Sequence, residues 1–263
     1  MKYHLRLILI ALFFLPSLAC GGLSINSTNG SGKIVTQAVD VSNFDSVSLE
    51  GSGEVYIEQG QTESLTIEAD DNILPLLETK VEGNELVLRT KLNQNIDPSQ
   101  AIIYRITVKD LAAISLSGSG KFFIRPVKSD SMDITLNGSG DINYDDLSTG
   151  KLSLDLNGSG KIAIDQLTAT TSDASINGSG DVRLAGKADS QTVSFHGSGN
   201  YLAGDLETGS AEISIPGSAE VTVWVNDELK VNVNGSGTVR YYGKPTVDQT
   251  GNGSGKIVSL GEK

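Results

Sequence analysis

Ile134-Thr135-Leu136-Asn137-Gly138-Ser139-Gly140-Asp141-Ile142-Asn143-Tyr144 is followed twenty residues later by Leu154-Asp155-Leu156-Asn157-Gly158-Ser159-Gly160-Lys161-Ile162-Ala163-Ile164. In both stretches apolar residues alternate with polar ones, a Gly-Ser-Gly interrupts the run, and the alternation resumes at the same offset. Period-two alternation marks a strand with one buried face. Glycine on both sides of a serine supplies backbone angles that a tight corner needs and other residues resist. The unit is therefore strand, glycine corner, strand, followed by a looser corner carrying an apolar plug such as Leu147, Leu167, Leu206 or Leu229.

The same unit extends in both directions. Gly-Ser-Gly begins at Gly118, Gly138, Gly158, Gly178, Gly197, Gly235 and Gly253, with Gly217-Ser218-Ala219 as a degenerate copy, so the steps are 20, 20, 20, 19, 20, 18 and 18 residues. Eight copies at this spacing define a repeat architecture. Two further copies, at Gly30 and Gly51, fall outside the spacing.

Two folds fit the alternation, a meander of hairpins or a stack of coils. The residues flanking the corners decide between them. Asn137, Asn157, Asn177, Asn234 and Asn252 precede the glycines, with His196 and Pro216 as exceptions. Amides repeated about 4.8 Å apart can hydrogen-bond up a stack, each contributing about 0.5–1.5 kcal/mol. After the glycines come Lys121, Asp141, Lys161 and Asp181. With one unit per coil these neighbours alternate in sign; in a meander like charges would face one another. The reading is an all-β protein, a single-stranded parallel β-helix (solenoid) of about 20-residue coils.

The remainder of the chain divides into three parts. Lys2 and Arg6, the apolar run Leu7–Leu15 and Pro16-Ser17-Leu18-Ala19-Cys20 read as a signal peptide over 1–20. Cys20 is the only cysteine of the 263 residues. The segment resembles a bacterial lipoprotein signal, in which the cysteine is lipidated, although Ser17 stands where that pattern prefers leucine. This implies an exported chain anchored by lipid to the cell envelope, at the outer membrane. Residues 21–39 read as a flexible tether. Residues 40–117 read as a strand-rich cap on the solenoid of 118–263, with a short helix begun by Asp70-Asp71-Asn72 before Ile73-Leu74-Pro75, a hairpin about Gly83-Asn84, and a polar loop over 91–100.

Phe44-Asp45-Ser46-Val47, Gly51-Ser52-Gly53-Glu54-Val55 and the Asn-Gly-Ser-Gly repeats together resemble the "putative auto-transporter adhesin, head GIN domain" family over residues 40–255. The resemblance implies a right-handed β-helix and a role in adhesion at the cell envelope.

Catalytic chemistry finds little support. His196 occupies an asparagine ladder position and has no orienting carboxylate in view. No zinc ligand set is present. Asp141, Asp145, Asp146, Asp165 and Asp181 could build a polysaccharide-cleaving groove, but they recur as corner and ladder residues. Gly-Ser-Gly-Asp differs in period from the nine-residue calcium repeat, and no Lys-Ser/Thr follows the glycines as in a phosphate loop. Asn-Gly-Ser matches a glycosylation acceptor through turn chemistry alone. A net charge of −12 excludes a nucleic-acid partner. No cofactor is expected. The remaining feature is Trp224 and Tyr242, each seven residues after the first glycine of its unit. Because Val221, Val223 and Val225 point inward, Trp224 points out, and the pair forms either a platform for a surface glycan or protein, or a packing surface for the C-terminal tail or a subunit contact. The expected function is a non-catalytic adhesion or scaffold protein, with a polysaccharide-active enzyme and a ligand-free spacer as alternatives.

Overall fold

The computed structural model describes residues 27–263, which are built almost wholly of strands, with a single 3-10 turn at Leu74–Leu76. The signal peptide, Cys20 and the first part of the expected tether lie outside the described residues. One unit forms one coil. Ile114, Ile134, Leu154, Ala174, Val193, Ile213 and Val231 occupy one inward column, each paired in parallel register with the next. Beyond the corner, Phe122, Ile142, Ile162, Val182, Tyr201, Val221 and Val239 form a second column in the same way. All are buried. Stacking like on like lets each coil bury its neighbour's apolar face, which a single unit cannot do alone.

The looser corner is itself a third face. Val127–Ser129, Leu147–Thr149 and Leu167–Ala169 are paired in register, so each coil contributes three short parallel ladders. Leu147 and Leu167 share one column, whereas Leu229 sits opposite Ala211, in the column of Leu152. The 18-residue steps near the C-terminus move this plug onto a different side. The 19-residue step is absorbed at Gly186, which faces Leu167 at φ +120°; a Cβ there would lie 2.1 Å from the Leu167 carbonyl oxygen.

At the corners the Ser159 amide donates to the Gly138 carbonyl oxygen at 2.9 Å, and the Ser179 amide donates to Gly158 in the same way. Gly158 adopts φ +137°, and a Cβ on it would come within 2.2 Å of that same Gly138 oxygen. Glycine is thus demanded twice, by backbone angle and by the close approach of successive coils. The asparagine ladder forms beside it: Asn157 Nδ2 donates to Asn137 Oδ1, and Asn177 Nδ2 to Asn157 Oδ1, both at 3.0 Å. Lys121, Asp141, Lys161 and Asp181 stack in alternating sign.

The N-terminal part corrects four expectations. Gly51 belongs to the stack after all: Ser46–Gly51 pairs with Ala113–Gly118, placing Gly51 opposite Gly118 and Glu54 opposite Lys121. An insertion from 60 to 112 separates two coils adjacent in space. Part of it, Glu85–Thr90 and Ile103–Val108, packs on the other side of the 46–59 coil as the first layer of the stack. Second, the expected tether is ordered from residue 28 onward, because Ile34–Val39 pairs antiparallel with Ser64–Asp70. Third, the helix is reduced to one 3-10 turn without a side-chain cap. The Asp70 carboxylate is buried and committed elsewhere, accepting from Gly32 N at 2.7 Å, Ser99 Oγ at 2.6 Å and Ser99 N at 2.9 Å. Donation by the Ser99 hydroxyl holds its pKa below the ordinary carboxylate value. Fourth, the 91–100 loop contains Ile96–Asp97, bridged to Thr28–Asn29.

The expected hairpin does turn at Gly83-Asn84, with Gly83 at φ +68°. Its strand Leu77–Glu82, together with Ser64–Asp70, covers the edges of the first layer with antiparallel pairs. At the other end Thr246–Thr250 and Lys256–Gly261 pair on one side only among the described residues. No helix among the described residues is long and apolar enough to cross a membrane.

Candidate functional site

The strand after each corner turns every second side chain outward. In one outward column the register aligns Arg105, Tyr56, Phe123, Asn143, Ala163 and Arg183 on successive layers. Tyr56 and Phe123 stack with ring centroids 5.0 Å apart and planes 18° from parallel. The Arg105 guanidinium lies 5.0 Å from the Tyr56 centroid on the neighbouring layer. Arg105, Tyr56 and Phe123 therefore form one stacked column standing out from the sheet. Such contacts each contribute about 0.5–1.5 kcal/mol when partly exposed.

The antiparallel strand Ser64–Asp70 runs beside this column and places Thr66 opposite Arg105. Between them lies a groove of about 380 Å³ that also takes in Thr107, Arg125 and the rings of Tyr56 and Phe123. The size falls in the lower part of the roughly 300–1,000 Å³ range of small-molecule sites. The Tyr56 hydroxyl donates to Glu54 Oε2 at 2.8 Å, and this bond raises the phenol pKa above its usual value. Arg125 is paired with Asp145 at 3.0 Å on the next coil. Arg105 has no carboxylate within ion-pair distance among the described residues.

Trp224 and Tyr242 are in register on adjacent coils of the same sheet, at the far end of the stack. Lys263 Nζ lies 5.4 Å from the Trp224 centroid and 5.1 Å from that of Tyr242, and it bonds the Asp205 carboxylate. That bond from Lys263 lowers the Asp205 pKa. A shallower hollow of about 270 Å³ adjoins them, lined by Arg183, Leu202 and Thr222 among others.

The other candidates are dispersed. His196 stacks on Asn177 at the exposed corner and has Ser194 Oγ 3.5 Å from its Nδ1. Three of the acidic residues pair with bases on neighbouring coils, Asp145 with Arg125, Asp165 with Arg183 at 2.8 Å and Asp141 with Lys121 at 4.0 Å, while Asp181 accepts from Asn200 Nδ2 at 2.8 Å. Among the described residues no three His, Cys, Asp or Glu side chains converge as metal ligands. Cys20 lies outside the described residues.

A family model described as "Putative auto-transporter adhesin, head GIN domain" matches residues 43–165 and again 144–245. The chain belongs to this family. Three solved structures similar to this head GIN chain each match it over 89% of its length and over 100% of their own. A "putative adhesin" from Parabacteroides distasonis is 25% identical with a TM-score of 0.83. A "putative lipid binding protein" from the same species is 26% identical with a TM-score of 0.82. A "putative adhesin" from Bacteroides fragilis is 26% identical with a TM-score of 0.68. No curated protein matches the chain.

The groove of this head GIN protein escapes a reading by spacing, because its two rings are separated by the 60–112 insertion. A signal for it is nevertheless present: Tyr56 and Phe123 each stand five residues after the first glycine of a Gly-Ser-Gly. Aligning Gly51 with Gly118 places the two rings side by side.

Proposed function

We propose that the chain is a non-catalytic adhesion module of the bacterial cell envelope, exported by its signal segment, held at the outer membrane by lipid on Cys20, and binding its target through the outward sheet face. The observation that carries this reading is the groove at Arg105, Tyr56 and Phe123. It is a concave site with partly exposed aromatic surface, the combination expected where recognition is concentrated. The family and the neighbours described as adhesins support the same reading. A polysaccharide-cleaving role is disfavoured because Asp145 and Asp165 are held in ion pairs with Arg125 and Arg183. A general acid needs a carboxyl free to exchange protons at the scissile bond.

The test is adherence of beads carrying the purified chain to whole bacterial cells and to extracellular-matrix preparations. The Tyr56→Ala/Phe123→Ala double variant is expected to lose adherence while keeping the same melting transition within a few degrees. Undiminished adherence would remove the groove from the function. If only Trp224→Ala abolishes adherence, the site moves to the Lys263 end of the face.

A further inference from the structure

The groove is less acidic than the protein around it. The chain carries a net charge of −12, yet the groove brings together two guanidiniums, Arg105 and Arg125, against the single carboxylate of Glu58. Arg125 is neutralised by Asp145. Glu58 is approached by the Thr107 hydroxyl at 3.4 Å, and Ser64 Oγ donates to Thr107 at 3.1 Å. Of the two, Arg105 has no carboxylate within ion-pair distance among the described residues. Its guanidinium carbon lies 5.0 Å from the Tyr56 ring centroid, a contact that leaves its N–H donors for a ligand. A positioned fork of this kind matches a planar carboxylate, which can take two parallel N–H bonds.

The other walls narrow the ligand further. Hydroxyls of Ser64, Thr66 and Thr107 offer donors and acceptors, and the rings of Tyr56 and Phe123 offer apolar faces. That mixture suits a sugar, which presents C–H faces for aromatic contact and hydroxyls at its rim. It does not suit an acyl chain: the large exposed apolar residues, Leu92, Leu202, Val247, Val258 and Leu260, all lie outside the groove. Lipid insertion requires a contiguous apolar surface.

We propose that this groove binds an acidic glycan through a uronate unit, with Arg105 on the carboxylate, the Tyr56–Phe123 rings against the sugar ring, and Thr66 and Thr107 on its hydroxyls. The assignment rests on the recognition reading above and adds the chemical class of the ligand. It also gives the stacked arginine a purpose that stability does not require, since an exposed cation–π contact contributes only about 0.5–1 kcal/mol.

The experiment is calorimetric titration of the purified chain with oligogalacturonate, with the same oligomer after reduction of its carboxyls to alcohols, and with phosphatidylglycerol vesicles. Oligogalacturonate is expected to bind, the reduced oligomer at least tenfold more weakly, and the vesicles not at all. Arg105→Gln should weaken oligogalacturonate binding about tenfold or more, the size expected for one charge-assisted pair, and should leave the reduced oligomer unchanged. Phe123→Ala should weaken both oligomers. Equal binding of the two oligomers, or indifference to Arg105→Gln, overturns the acidic class. Sensitivity to Phe123→Ala would still uphold sugar recognition in that case. Binding to vesicles alone, or to none of the probes, overturns the assignment, while bead adherence and its loss in the Tyr56→Ala/Phe123→Ala variant decide the recognition reading separately.

Discussion

The coils from 113 to 178 and those from 197 to 255 share one fold but satisfy it differently. In the first group the corner glycines Gly118, Gly138, Gly158 and Gly178 sit at φ between +135° and +137°, and the asparagine ladder runs unbroken from Asn137 to Asn177. In the second, Gly197, Gly217, Gly235 and Gly253 lie outside the left-handed region, His196 and Pro216 interrupt the ladder, and Asn234 Nδ2 turns to Asn232 Oδ1 at 2.8 Å. The corner amides as far as Ser236 nevertheless still donate to the glycine carbonyl of the preceding coil, Ser218 to Gly197 at 2.9 Å and Ser236 to Gly217 at 3.0 Å, and at the last corner Gly253 N donates to Val233 O at 3.1 Å instead. The stack thus depends on that backbone contact and on the inward columns. Backbone angle and ladder amide add regularity, and regularity can be relaxed one coil at a time.

The comparison is broken most severely by Gly158→Val. A side chain there meets both the left-handed angle and the Gly138 oxygen, so a loss of roughly 3–5 kcal/mol is expected by urea denaturation. A loss under 1 kcal/mol would mean that the regular coils tolerate change as readily as the others. Next is the third corner position. Gly160→Ala would put a Cβ 2.3 Å from Gly140 O and 2.6 Å from Leu136 Cδ2, costing about 1–3 kcal/mol. Ala219 occupies the equivalent place in the irregular half and is fully buried; Ala219→Gly should cost about 1 kcal/mol or less. Equal costs for the forward and reverse changes would erase the distinction between the halves.

Smaller effects sharpen it. Asn157→Ala removes a donor from Asn137 and an acceptor from Asn177, about 1 kcal/mol in all for an exposed ladder. His196→Asn should recover about 0.5 kcal/mol by continuing the ladder from Asn177 into the irregular half; the two midpoints in urea should move in opposite directions. The smallest effect concerns Lys263. Asp205 has a depressed pKa, so its pairing with Lys263 is complete above the ordinary carboxylate range and is lost as pH falls through the depressed value. Trp224 is the only tryptophan, and its fluorescence should shift below pH 4. Lys263→Ala should show that shift already at pH 7, and a pH-independent signal in the parent would show that Lys263 does not rest on the rings.

These contrasts also explain what could be read from the sequence. The solenoid from 118 onward was legible because stacking forces chemically like residues to recur at one spacing, in Asn137 and Asn157 as in Ile134 and Leu154. The same logic failed at Gly51, since an insertion hides a spatial neighbour from any reading by interval, and the Tyr56–Phe123 groove was hidden with it. Asp70 misled for another reason. A side-chain oxygen that can cap a helix can equally take distant amides, and only burial beside Gly32 and Ser99 decides which. Leu229 was assigned to the wrong side because an 18-residue step shifts every residue before the next corner relative to a 20-residue one.

The layer formed by 46–59 lies between the 85–108 layer and the 113–124 coil. In a chain made from its N-terminus, this layer appears before either neighbour exists: one of its sheet edges stays open until residue 108 has followed and the other until residue 124. The later coils can add one at a time to a finished surface, whereas the first three must close together. Assembly therefore carries its largest loop-closure entropy at the beginning. The slow step belongs to the base, and a truncation from the C-terminus should shorten the stack without changing the rate at which it starts.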